Sequence, residues 1–416
     1  MEQDVRYDVA VVGAGIVGVC CAAWLQKSGK SVVLIDRDAP GSGASAGNAG
    51  TIAAHACVPV NSPSLPFQLP SLMFGSDQPL AIDAGYVLAH MPWMLRFLAN
   101  CTPGRVTRIV ASLAAILRQS EAGLLPLIDD AGLRGLMCDN GCLHLFRDPE
   151  AWQDAQASIE TKRAAGARVE AVTPDTIAEL EPALGAGWSH GAVYEGYYWT
   201  TDPRALTQGI ADQFARGGGT ILRAAVGAFE RDPQGGLVIR TDAGLVRAGQ
   251  VVLAAGAWST RIGGGLVEPL PLETERGYHV MFPGAGNLLS RPVSWPAAAF
   301  YLTPMADGLR AAGTVEIAGL DAAPNRRRLA YIERKTREML PGLGAAGETW
   351  LGFRPTMPDA LPVIGRSART PEIILAFGHQ HLGLTLAGIT GKMVVAIAAG
   401  ATPTVDIAPY SPQRFG

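Results

Sequence analysis

The residues whose type and spacing point most directly to chemistry are Gly13, Gly15 and Gly18, with Asp36 eighteen positions beyond the last of them. Gly13 permits a tight turn, Gly15 lets the backbone approach a pyrophosphate, and Gly18 allows close helix packing. Ala14, Ile16 and Val17 fill the turn and share its contacts. A helix beginning here turns its unpaired N–H groups and positive dipole end toward phosphates. Asp36, followed by Arg37, stands where a carboxylate accepts hydrogen bonds from both hydroxyls of an unphosphorylated adenosine ribose. Two other groupings invite a metal reading. Cys138, Cys142 and His144 lack a second ligand pair with zinc-like spacing, and His379 and His381 lack a third ligand, so no metal is expected.

The elements around the glycines agree with this reading. Asp8–Val12 reads as a short apolar strand, Val19–Lys27 as a helix stopped by Gly29, and Ser31–Ile35 as a second buried strand, which is a βαβ unit. Val9–Gln26 carries no charge over eighteen residues, the length of a membrane span or signal core. Its flank, MEQDVRYD, has three acids against one Arg, and its glycines suit a strand-to-helix turn, so a soluble, cytoplasmic chain is expected.

Composition excludes other classes. Of 416 residues 48% are hydrophobic and 17% charged, which rules out a disordered chain and gives two or three domains on length. The net charge of −3, with no like-charge run longer than Arg326-Arg327-Arg328, leaves no footprint for nucleic acid. Six scattered cysteines read as reduced thiols rather than a disulfide framework.

The glycine fingerprint serves FAD and NAD alike, and three further features favour FAD. The small-residue run Gly41–Gly50, with Ser45, Ala46, Asn48, Ala49 and Gly50, has amides able to wrap a second phosphate and the edge of a flat ring. Val251–Ala255 reads as a buried strand running into Gly256-Ala-Trp258-Ser, a form typical of flavoproteins that close the site beside the first phosphate turn. Ile373–Phe377 is a strand followed by a loop from Gly378 and His379 to Gly383, Leu384 and Thr385. The helix that follows aims its N-terminal dipole at the pyrimidine end of a flavin.

With VVGAGIVG and Asp36, SAGNAG at Ser45–Gly50, LAAGAWS at Leu253–Ser259, GFRPTMPDALPVIG at Gly352–Gly365 and GHQHLGLTLAGITG at Gly378–Gly391, nearly the whole chain resembles the amine-oxidising flavoproteins that include D-amino-acid dehydrogenases, glycine oxidase and sarcosine oxidase. The resemblance implies non-covalent FAD, because the cysteine that attaches flavin late in some relatives has no counterpart after Cys142. It implies hydride loss from the substrate Cα to flavin N5, without a general base, so that activity rises with pH through the amine's pKa. The imine then hydrolyses to a 2-oxo acid. It further implies a D-amino-acid substrate, D-proline or hydroxy-D-proline among them. Competing expectations are a glycine or sarcosine oxidase making hydrogen peroxide, and an FAD-holding subunit of a heteromeric dehydrogenase.

In the resembling family the Arg at the position of Arg354 pairs with the substrate carboxylate, a bidentate match for its guanidinium fork; the competing reading is a structural bridge to Asp359. Tyr301 matches a substrate-contacting Tyr of glycine oxidases, and Tyr278 is the counterpart from the dehydrogenase side. Thr51 and His55, in a segment similar to glycine oxidases, border the same ring, and His379 is expected to bond the flavin. His279 is read as a strand residue with no catalytic role.

The fold expected is α/β, a Rossmann-like FAD-binding domain (residues 1–60, 200–262 and 350–416) with a discontinuous α+β substrate domain (61–199 and 263–349) on a mixed or antiparallel sheet. Asp202–Gly217 reads as a helix, Thr220–Ala225 as a strand, and Val226 as an adenine contact. Two apolar stretches, Ser62–Phe74 and Tyr86–Ala99, are lid or core, or else a peripheral membrane contact through Leu65, Leu69, Leu72, Met73, Phe74, Trp93, Met94 and Phe97. The latter would fit a membrane quinone or electron-transfer chain as acceptor. Homo- or hetero-oligomers are compatible with the sequence.

Overall fold

The computed structural model describes residues 6–66, 80–82 and 84–416. Strand β1 (Arg6–Val12), helix α1 (Ile16–Lys27) and strand β2 (Val32–Asp36) form the expected βαβ unit, with β1 and β2 parallel from Val9↔Val32 to Val12↔Ile35. Around them an eight-stranded sheet runs β10 (Thr220–Arg223), β2, β1, β13 (Gly244–Leu253), β12 (Leu237–Thr241), β11 (Val226–Arg231). On the side away from β1, strand β13 serves two partners: Gly244–Ala248 pair with β12, and Val251–Leu253 pair in parallel with β20 (Ile373–Phe377), which carries β19 (Val363–Arg366). The central strands β1, β2 and β20 and the end of β13 are runs rich in Val, Ile and Leu because both faces of the sheet are covered there.

On one face lie α1 and the helices Pro203–Arg216, Ser120–Asp130 and Gly383–Ala398, meeting in a core that includes Val19, Leu25, Leu124, Phe214, Leu386 and Ile389. Helix Pro203–Arg216 starts as expected, with the Asp202 side chain accepting from the Ala205 amide at 2.9 Å. The segment Gln380–Ala398 is long and apolar enough to cross a membrane, yet it is mostly buried. It crosses helix Ser120–Asp130 so closely that a Cβ on Gly388 would sit 2.2 Å from the Gly123 carbonyl carbon.

The second sheet has nine strands. In order these are β18 (Thr349–Thr356), β14 (Glu273–Pro283), β17 (Gly308–Ile317), β16 (Phe300–Met305), β15 (Val293–Trp295), β6 (Cys142–Phe146), β8 (His190–Glu195) and β7 (Arg168–Val172), with β4 (Leu80–Ile82) on β17. It is mixed: most pairs are antiparallel, while β15 with β6 and β17 with β4 are parallel. Helix Arg326–Met339 packs on its far face over Tyr278, Val280 and Phe282. A small sheet of β3 (Thr51–Ile52), β9 (Tyr198–Thr200) and β5 (Met137–Cys138) joins the two.

Two expectations about boundaries change. Strand β18 lies in the nine-stranded sheet, paired residue for residue with β14 from Glu273↔Thr356 to Val280↔Thr349, so the return to the dinucleotide sheet comes after Thr356 rather than at 350. Helices Pro103–Leu117 and Ser120–Asp130, expected with the substrate domain, bury Ile109, Leu113, Leu117, Leu124 and Ile128 in the core beneath the dinucleotide sheet. The proposed membrane contact also changes. Trp93 and Phe97 are buried and stacked 5.3 Å apart, and the Trp93 indole N–H donates to the Pro271 carbonyl at 3.0 Å. Leu65 and Met94 pack partly buried against them. Leu69, Leu72, Met73 and Phe74 lie outside the described residues.

Candidate active site

Between the two sheets opens a cavity of about 940 Å³. At one end it is walled by Gly13, Ala14, Gly15, Ile16 and Val17, by Asp36 and Arg37, and by Val226, Ala255, Gly256 and Trp258. The turn is built by sterics. Gly13 has φ +107°, and a Cβ on Gly18 would lie 1.8 Å from the Gly13 carbonyl oxygen. Gly18 therefore packs α1 against the turn and does not itself wall the cavity. Gly15, by contrast, has only the Ser45 hydroxyl within reach of an added Cβ, at 3.4 Å, so its open side is free for a ligand. The Asp36 carboxylate accepts from the Ala14 amide at 2.6 Å and the Asp38 amide at 3.0 Å, which fixes it at the cavity edge. The Arg37 guanidinium lies 4.8 Å from the Trp258 ring centroid.

The small-residue run is held rigidly, which its composition does not reveal. From β17 the buried Arg310 donates to the carbonyls of Ala46 at 3.0 Å and Asn48 at 2.9 Å. Thr303 donates to Ala49, and the His279 ring meets the Gly47 carbonyl at 3.0 Å. Ser45 gives its hydroxyl oxygen to the Ile16 amide at 2.9 Å, capping α1. Ser45, Asn48, Ala49 and Thr51 reach the cavity. Ala46 and Gly50, expected to touch the cofactor, are not in the cavity wall: the Ala46 carbonyl accepts from Arg310, and Gly50 packs against Thr200.

At the carboxyl end of β20, Gln380, His381, Gly383 and Leu384 wall the cavity. Two expected contacts, Gly378 and Thr385, serve structure instead. Gly378 takes φ +83° to make the turn, and the Thr385 hydroxyl accepts from the Ala53 amide at 3.0 Å. His379 borders the cavity, but its buried ring bonds the Thr390 hydroxyl at 2.9 Å. Gln380, which sequence reasoning missed, has φ +50° and a buried side-chain N–H group with no protein partner. Such an orphaned donor in the wall, the open Gly15 face and the first turn of α1 fit the phosphates and polar edges of FAD.

The floor is the nine-stranded sheet. Its register aligns Trp350, His279, Ala312, Tyr301, Ser294 and His144 in one row across β18, β14, β17, β16, β15 and β6, so their side chains share a face. Arg354 lines the cavity near the β18 end of this floor. Its Nη1 donates to the Thr314 carbonyl at 2.9 Å, and the guanidinium lies against Gly277, where a Cβ would be 2.4 Å from Nη2. Among the described residues no carboxylate forms an ion pair with it. Asp359, the alternative partner, pairs with Arg414 at 2.7 Å. Glu275, opposite Arg354 in the β14–β18 register, is buried and its carboxyl is raised by that burial, while Arg354 pulls it back down. Thr314, with φ +58° and an unpartnered buried hydroxyl, stands beside Arg354.

Tyr301 reaches the cavity, its hydroxyl 3.3 Å from the His144 ring nitrogen. Tyr278 is placed differently from expectation. Its hydroxyl donates to Glu316 and accepts from the Asn325 amide at 3.0 Å, and Glu316 in turn pairs with the fully buried Arg276 at 3.2 Å. The phenol is thereby committed inside the protein. His55 does not wall the cavity; its ring packs on Tyr197 at 5.3 Å. His279 stacks on Trp350 at 5.2 Å. His381, missed as a site residue, is open to the cavity. Its ring is exposed to that cavity.

The buried histidines set an acid limit. Burial lowers His279 to about 4 and His379 to about 3, from an ordinary value of 6.5. Below 6.5 the unfolded chain binds protons that the native chain refuses, so their contribution is complete above that pH and is lost as pH falls toward 4 and then 3. At roughly 1.4 kcal/mol per pKa unit, His279 alone contributes about 3 kcal/mol. Thermal unfolding of the holoenzyme is expected to move to lower temperature steadily between pH 6.5 and 4; a flat profile contradicts this.

A dinucleotide end built on a glycine turn, opening onto a sheet-floored chamber with a cavity-facing arginine, defines a flavin-dependent oxidoreductase. Residues 8–397 match the model of the family described as DAO: FAD dependent oxidoreductase, and the chain belongs to that family. It is 33% identical over 415 residues, 98% of both chains, to the D-amino-acid oxidase of Bradyrhizobium diazoefficiens. Among solved structures it is similar to glycine oxidase from Geobacillus kaustophilus, with a TM-score of 0.75 and 24% identity, covering 98% of this chain and 99% of that one. It is also similar to L-proline dehydrogenase from P. horikoshii, with a TM-score of 0.75 and 21% identity, covering 99% and 98%.

Proposed function

We propose that the chain oxidises D-amino acids to 2-oxo acids and ammonia, with Arg354 gripping the substrate α-carboxylate. The observation that carries this is Arg354 itself, a guanidinium in the cavity wall with one N–H on Thr314 and no ion-pair partner among the described residues. The similarity to a D-amino-acid oxidase supports the substrate's hand. FAD, when bound, supplies the two-electron acceptor. The chain's own residues do the positioning. Arg354 and the Thr314 hydroxyl fix the carboxylate, and Tyr301, braced by His144, closes the opposite side. Burial keeps His144 neutral, so it adds no positive charge beside the substrate amine.

Removing the Tyr301 hydroxyl in Tyr301→Phe is expected to raise KM about three- to tenfold, the cost of one neutral hydrogen bond, with kcat less affected. An unchanged KM removes Tyr301 from the substrate wall. The reading as a whole is tested by steady-state assay of paired D- and L-amino acids, glycine, sarcosine, D-proline and the hydroxyproline stereoisomers. Two-oxo acid and ammonia from D-isomers alone support it. D-Proline and hydroxy-D-proline, the cyclic substrates, give a ring imine without ammonia. Turnover confined to glycine, sarcosine or L-isomers overturns the D-amino-acid reading. In air, hydrogen peroxide formed with each turnover marks an oxidase, and its absence marks a dehydrogenase that hands electrons to another carrier.

A further inference from the structure

Strand β14 runs in unbroken register against β18, and its alternation turns Glu275 and Gly277 to one face, where both wall the cavity. Glu275 stands directly opposite Arg354, the cross-strand position at which opposite charges attract. Here they form no ion pair. The guanidinium lies the other way along β14, against Gly277, and the Thr314 carbonyl holds its Nη1 at 2.9 Å. Glu275 is 7% exposed, and among the described residues no cation is in ion-pair range of it. Around it on β18 are the Thr356 hydroxyl and Arg354, and His381 approaches the Arg354 charge from the loop after β20. Arg276 and Glu316, the neighbouring charges of β14 and β17, are bound to each other. A buried carboxylate without a cation is costly until it gains one or takes up a proton. Burial already raises the Glu275 carboxyl above its usual value.

We propose that Glu275 is the amine site of the chamber: it pairs with the substrate ammonium and takes one proton from it. The inference rests on the reading that Arg354 holds the α-carboxylate. Positions 275 and 277 of β14 lie about 7 Å apart along the strand, and the guanidinium occupies the second. An α-amino acid carries its ammonium and carboxylate on one carbon. With a charge-assisted hydrogen bond of about 2.8 Å on either side, it bridges two such stations. The walls nearby include Val315, Phe353 and Leu384, and among apolar groups a pair of opposite charges is expensive to keep. Moving one proton from nitrogen to oxygen leaves two neutral, hydrogen-bonded partners. The N–H bond breaks, an O–H bond forms on Glu275, and the nitrogen keeps the electron pair that hydride loss from Cα requires.

The test uses FAD-loaded protein and unreactive probes first. 2-Aminoisobutyrate has no Cα–H to lose, and pivalate is the same skeleton with a methyl group in place of the ammonium, so the two isolate the amine. Binding is followed by the flavin absorbance change and the shift in unfolding temperature. Wild type is expected to bind 2-aminoisobutyrate about tenfold or more tightly than pivalate, as a hydrogen bond to a charged group requires. Glu275→Gln, which keeps the shape of the side chain, abolishes the preference, and so does Glu275→Ala. Equal affinities in wild type, or a preference that survives in both variants, overturns the proposal. Arg354→Leu weakens both probes; if it weakens neither, the reading of Arg354 fails, and the amine preference still decides the role of Glu275. Turnover gives the second arm. For a D-amino acid, kcat/KM of Glu275→Gln is expected about 100-fold below wild type at pH 7, the loss typical of a missing general base. It recovers as pH rises through the amine's own pKa, so the acid limb of the profile moves to higher pH. A profile that keeps its wild-type position in Glu275→Gln overturns the proton transfer.

Discussion

Replacement of Arg354 by Leu should lower kcat/KM for a D-amino acid about a thousandfold, because it strips a charged partner from a buried carboxylate. The site explains why so much depends on one side chain. Nη1 is tied to the Thr314 carbonyl, which sets the plane of the guanidinium, and Gly277 leaves the space in which it lies. The remaining N–H groups form a fork suited to a carboxylate. Lysine keeps the charge but loses the two-point contact, so Arg354→Lys should recover part of the rate and remain roughly 10- to 100-fold below wild type. Both variants should retain FAD at the wild-type ratio, since Arg354 lies on the floor of the substrate chamber rather than in the phosphate turn. Near-normal kcat/KM in Arg354→Leu would remove the carboxylate anchor and the substrate class with it.

The second large effect is at Gly18. A methyl group there would lie 1.8 Å from the Gly13 carbonyl oxygen, and no rotamer relieves a Cβ clash. Either α1 moves off the sheet or the Gly13 turn opens, and both displace the amides that meet the cofactor. Gly18→Ala should therefore cost more than about 4 kcal/mol of stability, in the range reserved for such backbone clashes, and purify largely free of FAD. Gly265→Ala is the matched control, because an added Cβ there meets nothing within 4 Å. It should stay yellow and unfold at the wild-type temperature. Full FAD loading in Gly18→Ala would mean the turn is not the phosphate site.

The dinucleotide end was legible because its chemistry is carried by backbone. Gly13, Gly18 and Asp36 act through φ, a missing Cβ and the end of a strand, and local spacing encodes all three. Helix Gly383–Ala398 was equally plain from the strand and glycine loop that precede it. The substrate chamber was not, because its row from Trp350 to His144 is assembled by the register of strands far apart in sequence. Arg354 and Tyr301 came from the family resemblance. Thr314 gave no local signal. Sequence spacing could not display the partners that His379 and Tyr278 have inside the fold, Thr390 and Glu316, nor that the His55 ring packs on Tyr197 outside the cavity wall. Helices Pro103–Leu117 and Ser120–Asp130 misled the domain boundary because their apolar faces match the dinucleotide core, and chain order does not reveal which core claims them.

The most direct measurement is anaerobic. FAD-loaded protein is mixed with D- and L-enantiomers of single amino acids, acidic and neutral, and the flavin band at roughly 450 nm is followed over time. Rapid bleaching by D-enantiomers, absent with their L-partners and abolished in Arg354→Leu, is the result expected if Arg354 presents the Cα–H of a D-amino acid to the cofactor. A band that stays oxidised with every D-amino acid, or that bleaches equally in Arg354→Leu, contradicts that account.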